Sequence, residues 1–368
     1  MATSASVHSD LAIPPGEFRE EVIADLDMTK DELARRMQRP PAKLSAVFNG
    51  EKAITPETAL QMEKVVGVSA PIWLGLEAED RLTLARIQAK RSDSLEQEEQ
   101  LATAYSYAKL AKLGVVAPSR KPLVRVADLQ RYFGVASLLA IPDVRLCQAA
   151  LRESQPDTRR RPRSPQALVA WLRFGELKAR EVDCGTFDRQ LLRSSLDEIR
   201  HMTLEGPESF QTRLESILAR AGVALVVCPP FPGTGVHGAT FWQGRKGVLL
   251  MTIRDDWADV FWFSLSHELG HLALHGRRDI IFEYDAADAE SREREQEADD
   301  FAAETLVPSR DYRQFVDAGD FTEPAIRRFA SGAGIDPGIV VGRLQHDRHV
   351  RRDRHNGLRS RFRWVADE

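Results

Sequence analysis

Within residues 256–275, a proline-free and largely apolar run encloses the five residues His267-Glu268-Leu269-Gly270-His271. Positions i and i+4 share one face of a helix, so His267 and His271 can aim two imidazoles at one metal ion, with Glu268 beside it. A zinc hydrolase needs this arrangement. Zinc lowers the pKa of its bound water toward neutrality, and an adjacent carboxylate can take the proton during attack. The run opens on Asp256 and Asp259 and is followed by Gly276. Acidic residues in the first turn and a glycine past the end predict a helix, and the apolar residues predict that it is buried. Two imidazoles and a carboxylate on such a helix need a polar partner to be buried at all, and a cation supplies one.

A third ligand is required, and two residues compete for the role. His275 continues the i+4 series, but it lies about 12 Å along the axis from His267, too far to share one ion with it. A role beside the ligands or at the helix end suits it better. Glu295 lies in a second helical pattern over 291–308, on one stripe with Ala298, Ala302 and Leu306, and this stripe can carry it into a packed interior. Asp299, one turn on, is placed to accept the remaining ring N–H of a ligating histidine and fix its tautomer. Glu293, Glu297 and Asp300 fall on other faces and read as solvated charges.

These residues resemble the ImmA/IrrE metallopeptidases, thermolysin-like zincins with a glutamate third ligand. The resemblance spans roughly residues 205–345. It rests on the His267–His271 motif with the trailing His275, on Glu295, Ala298, Asp299, Phe301, Ala302 and Ala303, and on Leu306-Val307-Pro308. It extends to the lead-in segments beginning at Gly222, Gly238 and Gly247. It implies that His267, His271 and Glu295 hold zinc and that Glu268 is the general base. It also implies a substrate of the repressor class, since family members with an assigned substrate cleave a repressor protein.

A second signal lies near the N-terminus. Residues 29–37 open with a Thr29-x-x-Glu32 capping box and place Leu33, Ala34 and Met37 on one face. Residues 40–50 follow after a short turn, with Leu44, Val47 and Phe48 inward and Asn49-Gly50 as a stop. Two short helices across a tight turn make a helix-turn-helix, whose second helix enters the major groove. Ala42, Lys43 and Ser45 would then reach base edges, with Arg39 and Lys52 on phosphates. Over about residues 8–90 the sequence resembles the HigA-type antidote repressors. Residues 1–76 carry a net charge of −3, unlike a strongly basic nucleic-acid domain, but Arg35, Arg36, Arg39, Lys43 and Lys52 are grouped at the helical pair.

The 368 residues are enough for two or three domains, and a net charge of −4 implies no global electrostatic partner. Cys147, Cys184 and Cys228 stand apart, without the pairing expected of a disulfide framework or zinc ribbon. The first residues lack the features of a signal peptide, and no apolar run is long enough to span a membrane. A cytoplasmic protein is expected. Residues 79–113 read as helix interrupted near 91–94. The Pro- and Arg-rich stretch 155–165 reads as an exposed loop, closed by Ser164-Pro165 as the start of a helix through Arg180. Residues 323–345 read as two short helices around a glycine turn. The tail 348–363 carries a net +6, and with Phe362 and Trp364 it suits either a nucleic-acid or acidic partner or a docked terminal segment.

The expected fold is mainly α with a small β-sheet (α+β). Residues 1–110 form a helix-turn-helix domain with a helical extension, 111–204 a helical connecting region, and 205–368 a zincin domain with a basic tail. The function expected is a DNA-binding regulator, a possible homodimer, joined to a zinc endopeptidase acting on a repressor-type protein. His237, Tyr284 and His346 stand open as oxyanion stabilisers. Two rivals remain: an antidote-type repressor that binds a toxin partner, its zinc domain structural or sensory, and a pure peptidase whose helix-turn-helix recognises a related repressor.

Overall fold

A computed structural model describes residues 21–89, 94–143, 164–254, 256–275, 281–282 and 289–362. Cys147, Tyr284, the cap at Gly276, the Arg-rich stretch up to residue 163, Arg363 and Trp364 lie outside them. The chain divides into two compact units, Met1–Gln97 and Glu98–Glu368.

In the first unit, α1 (Lys30–Arg36) starts where the Thr29 hydroxyl accepts the Glu32 amide at 3.2 Å, the expected capping contact. After a short turn, Pro41 opens α2 (Pro41–Phe48), whose Leu44, Val47 and Phe48 are buried. Thr55 caps α3 (Pro56–Val66), and α4 (Ala70–Ala89) follows. Leu33, Leu44 and Met62 close over the fully buried Trp73. The Trp73 indole N–H donates to Val68 O at 3.0 Å, so its one polar atom is satisfied inside an apolar core.

The second unit begins within α5 (Ser94–Ala104) and continues through α6 (Tyr107–Lys112) and α7 (Pro122–Phe133). Ser106, at φ 58°, adds a second break to the helix expected over residues 79–113, beyond the interruption expected near 91–94. The buried Glu98 carboxylate accepts from Gln130 Nε2 and from Leu138 N, both at 2.8 Å. Next come α8 (Pro165–Glu181), α9 (Arg189–His201) and α10 (Pro207–Arg220).

The sheet follows: β1 (Val223–Cys228), β2 (Gly238–Gln243), β3 (Lys246–Thr252) and the short β4 (Ile281–Phe282), in the order β1-β3-β2-β4. β1 runs parallel to β3, and β2 is antiparallel to both β3 and β4. The metal-motif helix α11 (Ala258–Leu274) packs on β2 and β3 and against α12 (Ala289–Leu306). The chain closes with α13 (Ser309–Ala318), α14 (Glu323–Ala333) and α15 (Pro337–His346), which packs on α11. The architecture is α+β, as expected.

The division between the two compact units falls at Gln97/Glu98, so residues 111–204 lie within the second. The reason is hydrophobic. In α8, Leu168, Val169, Ala170, Trp171 and Leu172 are all buried, and the helix lies on β1 and β3 as one wall of the peptidase-like core.

The basic tail is docked where it is described. Arg359 makes two hydrogen bonds to the buried Asp259 carboxylate, Nε–Oδ1 at 3.0 Å and Nη2–Oδ2 at 2.7 Å. The guanidinium carbons of Arg359 and Arg361 each lie 4.1 Å from the Trp257 ring centre. Two backbone bonds, Ala258 N to Ser360 O at 3.0 Å and Phe362 N to Asp256 O at 2.7 Å, tie the strap across the start of α11. Burial pushes the Asp259 carboxyl up, and the Arg359 guanidinium opposes it. With the two side chains only 10% and 8% exposed, Arg359→Ala should lower unfolding free energy by about 3–5 kcal/mol. A fall in the urea midpoint at unchanged slope is the measurement that checks it.

Candidate metal centre

The centre forms where α11 meets α12. Gly270 makes that approach possible: a Cβ there would lie 3.1 Å from Phe301 Cδ1 and 3.2 Å from the Ala298 Cα. Any larger residue would push α12 away and carry Glu295 with it.

At this crossing His267 Nε2 and His271 Nε2 lie 3.0 Å apart. Glu295 Oε2 lies 3.4 Å from the first and Oε1 3.2 Å from the second. The three residues offer ligand atoms all within 4.8 Å of one another, and among the described residues no other such group of histidine, cysteine or carboxylate occurs. His267 Nδ1 lies 2.8 Å from Asp299 Oδ1, and in the neutral ring a proton held on that bond turns the Nε2 lone pair toward His271 and Glu295. Two imidazole nitrogens turned on one point beside a carboxylate suit a cation and little else. The donor set, two imidazole nitrogens and one carboxylate, is one that fits zinc.

The charges agree. Burial disfavours the His267 imidazolium, but the carboxylates of Asp299, Glu295 and Glu268 outweigh it and hold that pKa at about 10. Burial drives His271 down. Burial also opposes the ionised Glu295, yet the two histidines keep its carboxyl below the usual range. A negative pocket of this kind recruits a cation before it recruits an anion.

Glu268 is fully buried and outside the ligand set. Thr240, on β2, donates its hydroxyl to Glu268 Oε2 at 2.5 Å. Gly238 leaves the space the carboxylate occupies, since a Cβ there would sit 2.7 Å from Glu268 Oε1. Residues 238 and 240 alternate onto one face of the strand, so β2 provides both the space and the hydroxyl. Thr240 was not picked out from the sequence. Its signal was the Gly-x-Thr spacing, which carries no meaning until the partner strand is known.

His275 stands apart from the ligands. Its Nε2 lies 3.2 Å from Arg294 O and its Nδ1 3.6 Å from Glu297 Oε2, so it ties the end of α11 to α12. Glu297 is exposed, as expected of a solvated charge, and lies beside His275. Of the three oxyanion candidates, His237 is half-buried on the strand edge next to Gly238, and His346 is exposed and 6.5 Å from the Phe263 ring. The helix-turn-helix residues are arrayed along α2. Ala42 and Lys43 are exposed and Ser45 is half-buried, while Lys52 is exposed beyond the helix. Arg39 donates to Gln61 Oε1 at 2.5 Å, which tethers it to α3.

Residues 221–330 match the family model of the IrrE N-terminal-like domain, Peptidase M78. The N-terminal region is 32% identical over 81 residues to the uncharacterized HTH-type transcriptional regulator YddM of Escherichia coli K12, covering 20% of this chain and 86% of that one. It is 29% identical over 93 residues to virulence-associated protein I of Dichelobacter nodosus, covering 25% and 85%. An addiction module antidote protein of the HigA family from Coxiella burnetii is 31% identical, covering 22% of this chain and 88% of that structure, with a TM-score of 0.21. The chain belongs to the HTH-type transcriptional regulators and joins that module to an IrrE N-terminal-like, Peptidase M78 domain.

If Asp299 orients His267, Asp299→Ala should weaken divalent metal binding about 10–100-fold while His271 and Glu295 still hold the ion. Titration against a chromophoric chelator reads the difference directly, and His275→Ala serves as the control that keeps near wild-type affinity.

Proposed function

We propose that this protein is a DNA-binding transcriptional regulator whose second unit is a zinc-dependent endopeptidase acting on a repressor-type protein. The observation that carries the reading is Glu268: a carboxylate fully buried next to two ligand histidines, held by Thr240, and not itself a ligand. A structural metal site has no use for such a group, whereas peptide hydrolysis needs a base there.

In this reading His267, His271 and Glu295 hold the zinc, and Asp299 keeps the His267 ring in the tautomer that presents Nε2. Zinc supplies Lewis acidity, polarising a carbonyl and acidifying water. Glu268 takes the proton from the attacking water at one carboxylate oxygen and returns it to the leaving amine. Thr240 fixes the other oxygen, so the carboxylate cannot swing toward the ligand position.

The DNA half of the proposal places α2 in the major groove, with Ala42, Lys43 and Ser45 on base edges and Arg39 and Lys52 on phosphates. Arg39, already tethered to Gln61, reaches DNA at less entropic cost than a free side chain. Among the described residues no helix is long and apolar enough to cross a membrane, and a cytoplasmic site of action is part of the proposal. The antidote relative favours a second reading, a repressor that binds a toxin partner and whose zinc unit does not cut.

Glu268→Gln removes a base and no ligand. It should retain about one zinc per chain and wild-type promoter binding, yet abolish cleavage. Wild-type and variant strains of the native host, compared under stress by mass spectrometry of candidate repressors, decide between the readings. Identical fragment patterns would favour the antidote.

For DNA, Lys43→Ala should cost about 1–3 kcal/mol on the specific duplex and little on random sequence, in gel-shift titrations at moderate salt. Equal loss on both duplexes would assign Lys43 to phosphate contact alone.

A further inference from the structure

A cavity of about 400 Å³ lies within the second unit, lined from the same helices that carry His267, His271 and Glu295, and its size is within the range of ligand-binding pockets. Three of its walls are extensions of elements that carry site residues. On α11, Val260 and Ser264 lie two turns and one turn before His267, on the same face. On α12, Ala303 lies one turn after Asp299. On the sheet side, His237 directly precedes Gly238, against which the Glu268 carboxylate rests. The fourth wall comes from α15, through Ile339 and Arg343.

The lining has two kinds of surface. Val260, Phe263, Leu306, Val307 and Ile339 supply apolar walls. The charged members are nearly all committed elsewhere: Arg359 to Asp259 at 2.7 Å and Arg343 to Asp347 at 2.7 Å. Arg352 differs. It lines the cavity, is exposed, and among the described residues takes part in no ion pair. Asn356 Nδ2 donates to Arg352 O at 3.0 Å and Gln345 Nε2 to Arg354 O at 2.8 Å, which holds the backbone from which Arg352 projects.

We propose that this cavity is the specificity pocket of the peptidase unit, taking a bulky apolar substrate side chain whose acidic neighbour pairs with Arg352. The assignment rests on the peptidase reading above. An apolar side chain gains by leaving water for the Val260, Phe263 and Ile339 walls. A carboxylate beside it neutralises the one cavity cation that lacks a partner, whereas a lysine there would be repelled. The expected substrate segment is therefore apolar-acidic, exposed enough to extend across the α11–α12 crossing.

The test measures binding apart from cleavage. Zinc-loaded full-length Glu268→Gln protein is applied to an array of hexapeptides carrying Leu, Phe or Ala at one position and Asp, Ala or Lys at each neighbouring one. Peptides pairing Leu or Phe with Asp should bind most tightly. Adding Ala303→Phe, which fills the cavity, should weaken them ten-fold or more at unchanged zinc content and urea midpoint. Arg352→Glu, an exposed change that leaves the core intact, should invert the preference from Asp to Lys. Equal binding of Asp and Lys peptides, no effect of Ala303→Phe in a folded protein, or no binding by any peptide would overturn the assignment. Binding that follows the expected pattern, with no cut by wild type in any bound peptide, would leave the pocket standing and sink the catalytic reading instead.

Discussion

The second unit is organised around the burial of charge at one helix crossing. His267, Glu268 and His271 sit on a helix that is otherwise among the most apolar segments of the chain, and all three are at most 4% exposed. Such a concentration of polar groups is costly in a packed interior unless each finds a partner. The partners come from different elements: Glu295 and Asp299 from α12, Thr240 from β2. The sheet, the closeness of α12 to Gly270 and the position of β2 serve that single requirement. Altering any of them would strand a buried carboxylate or imidazole.

The same logic governs the start of α11. Asp259 is buried in its first turn, and Arg359, a hundred residues later, satisfies it. This ion pair, together with Trp257 beside two guanidinium groups, turns a strongly basic terminal stretch into part of the core's edge. The positive charge that in sequence suits a nucleic-acid partner is paired with buried Asp259 at Arg359 and with Asp353 at Arg351, while exposed Arg361 lies over the Trp257 ring. A buried ion pair of this kind contributes less to stability than to fixing one arrangement of the strap over the helix.

In the first unit the constraints are local and simpler. Thr29 and Thr55 cap their helices, and the apolar positions at helical spacing converge on Trp73. These caps and apolar contacts span only short stretches of chain, which is why the capped helices and inward residues expected of that segment coincide with those observed among the described residues. The polar residues on α2 are different in kind, because their exposure follows from the helix but their role depends on a nucleic acid.

What the sequence determined by itself follows from short-range chemistry. The i, i+4 histidines, the capping boxes and the Glu295 stripe depend on periods of 3.6 residues and on hydrogen bonds spanning three or four positions, all of which can be read along the chain. The α+β class and the helical placement of the His267–His271 motif belong to that part. Tertiary structure decided the rest. That residues 165–181 lie on β1 and β3 depends on which surface their apolar face meets. That Thr240 holds Glu268 depends on β2 lying across α11, and that Arg359 is buried depends on Asp259 a hundred positions away. Each is a contact between residues whose sequence separation leaves no periodic trace, and burial, which sets the energy of every polar contact, exists only once the chain has closed on itself.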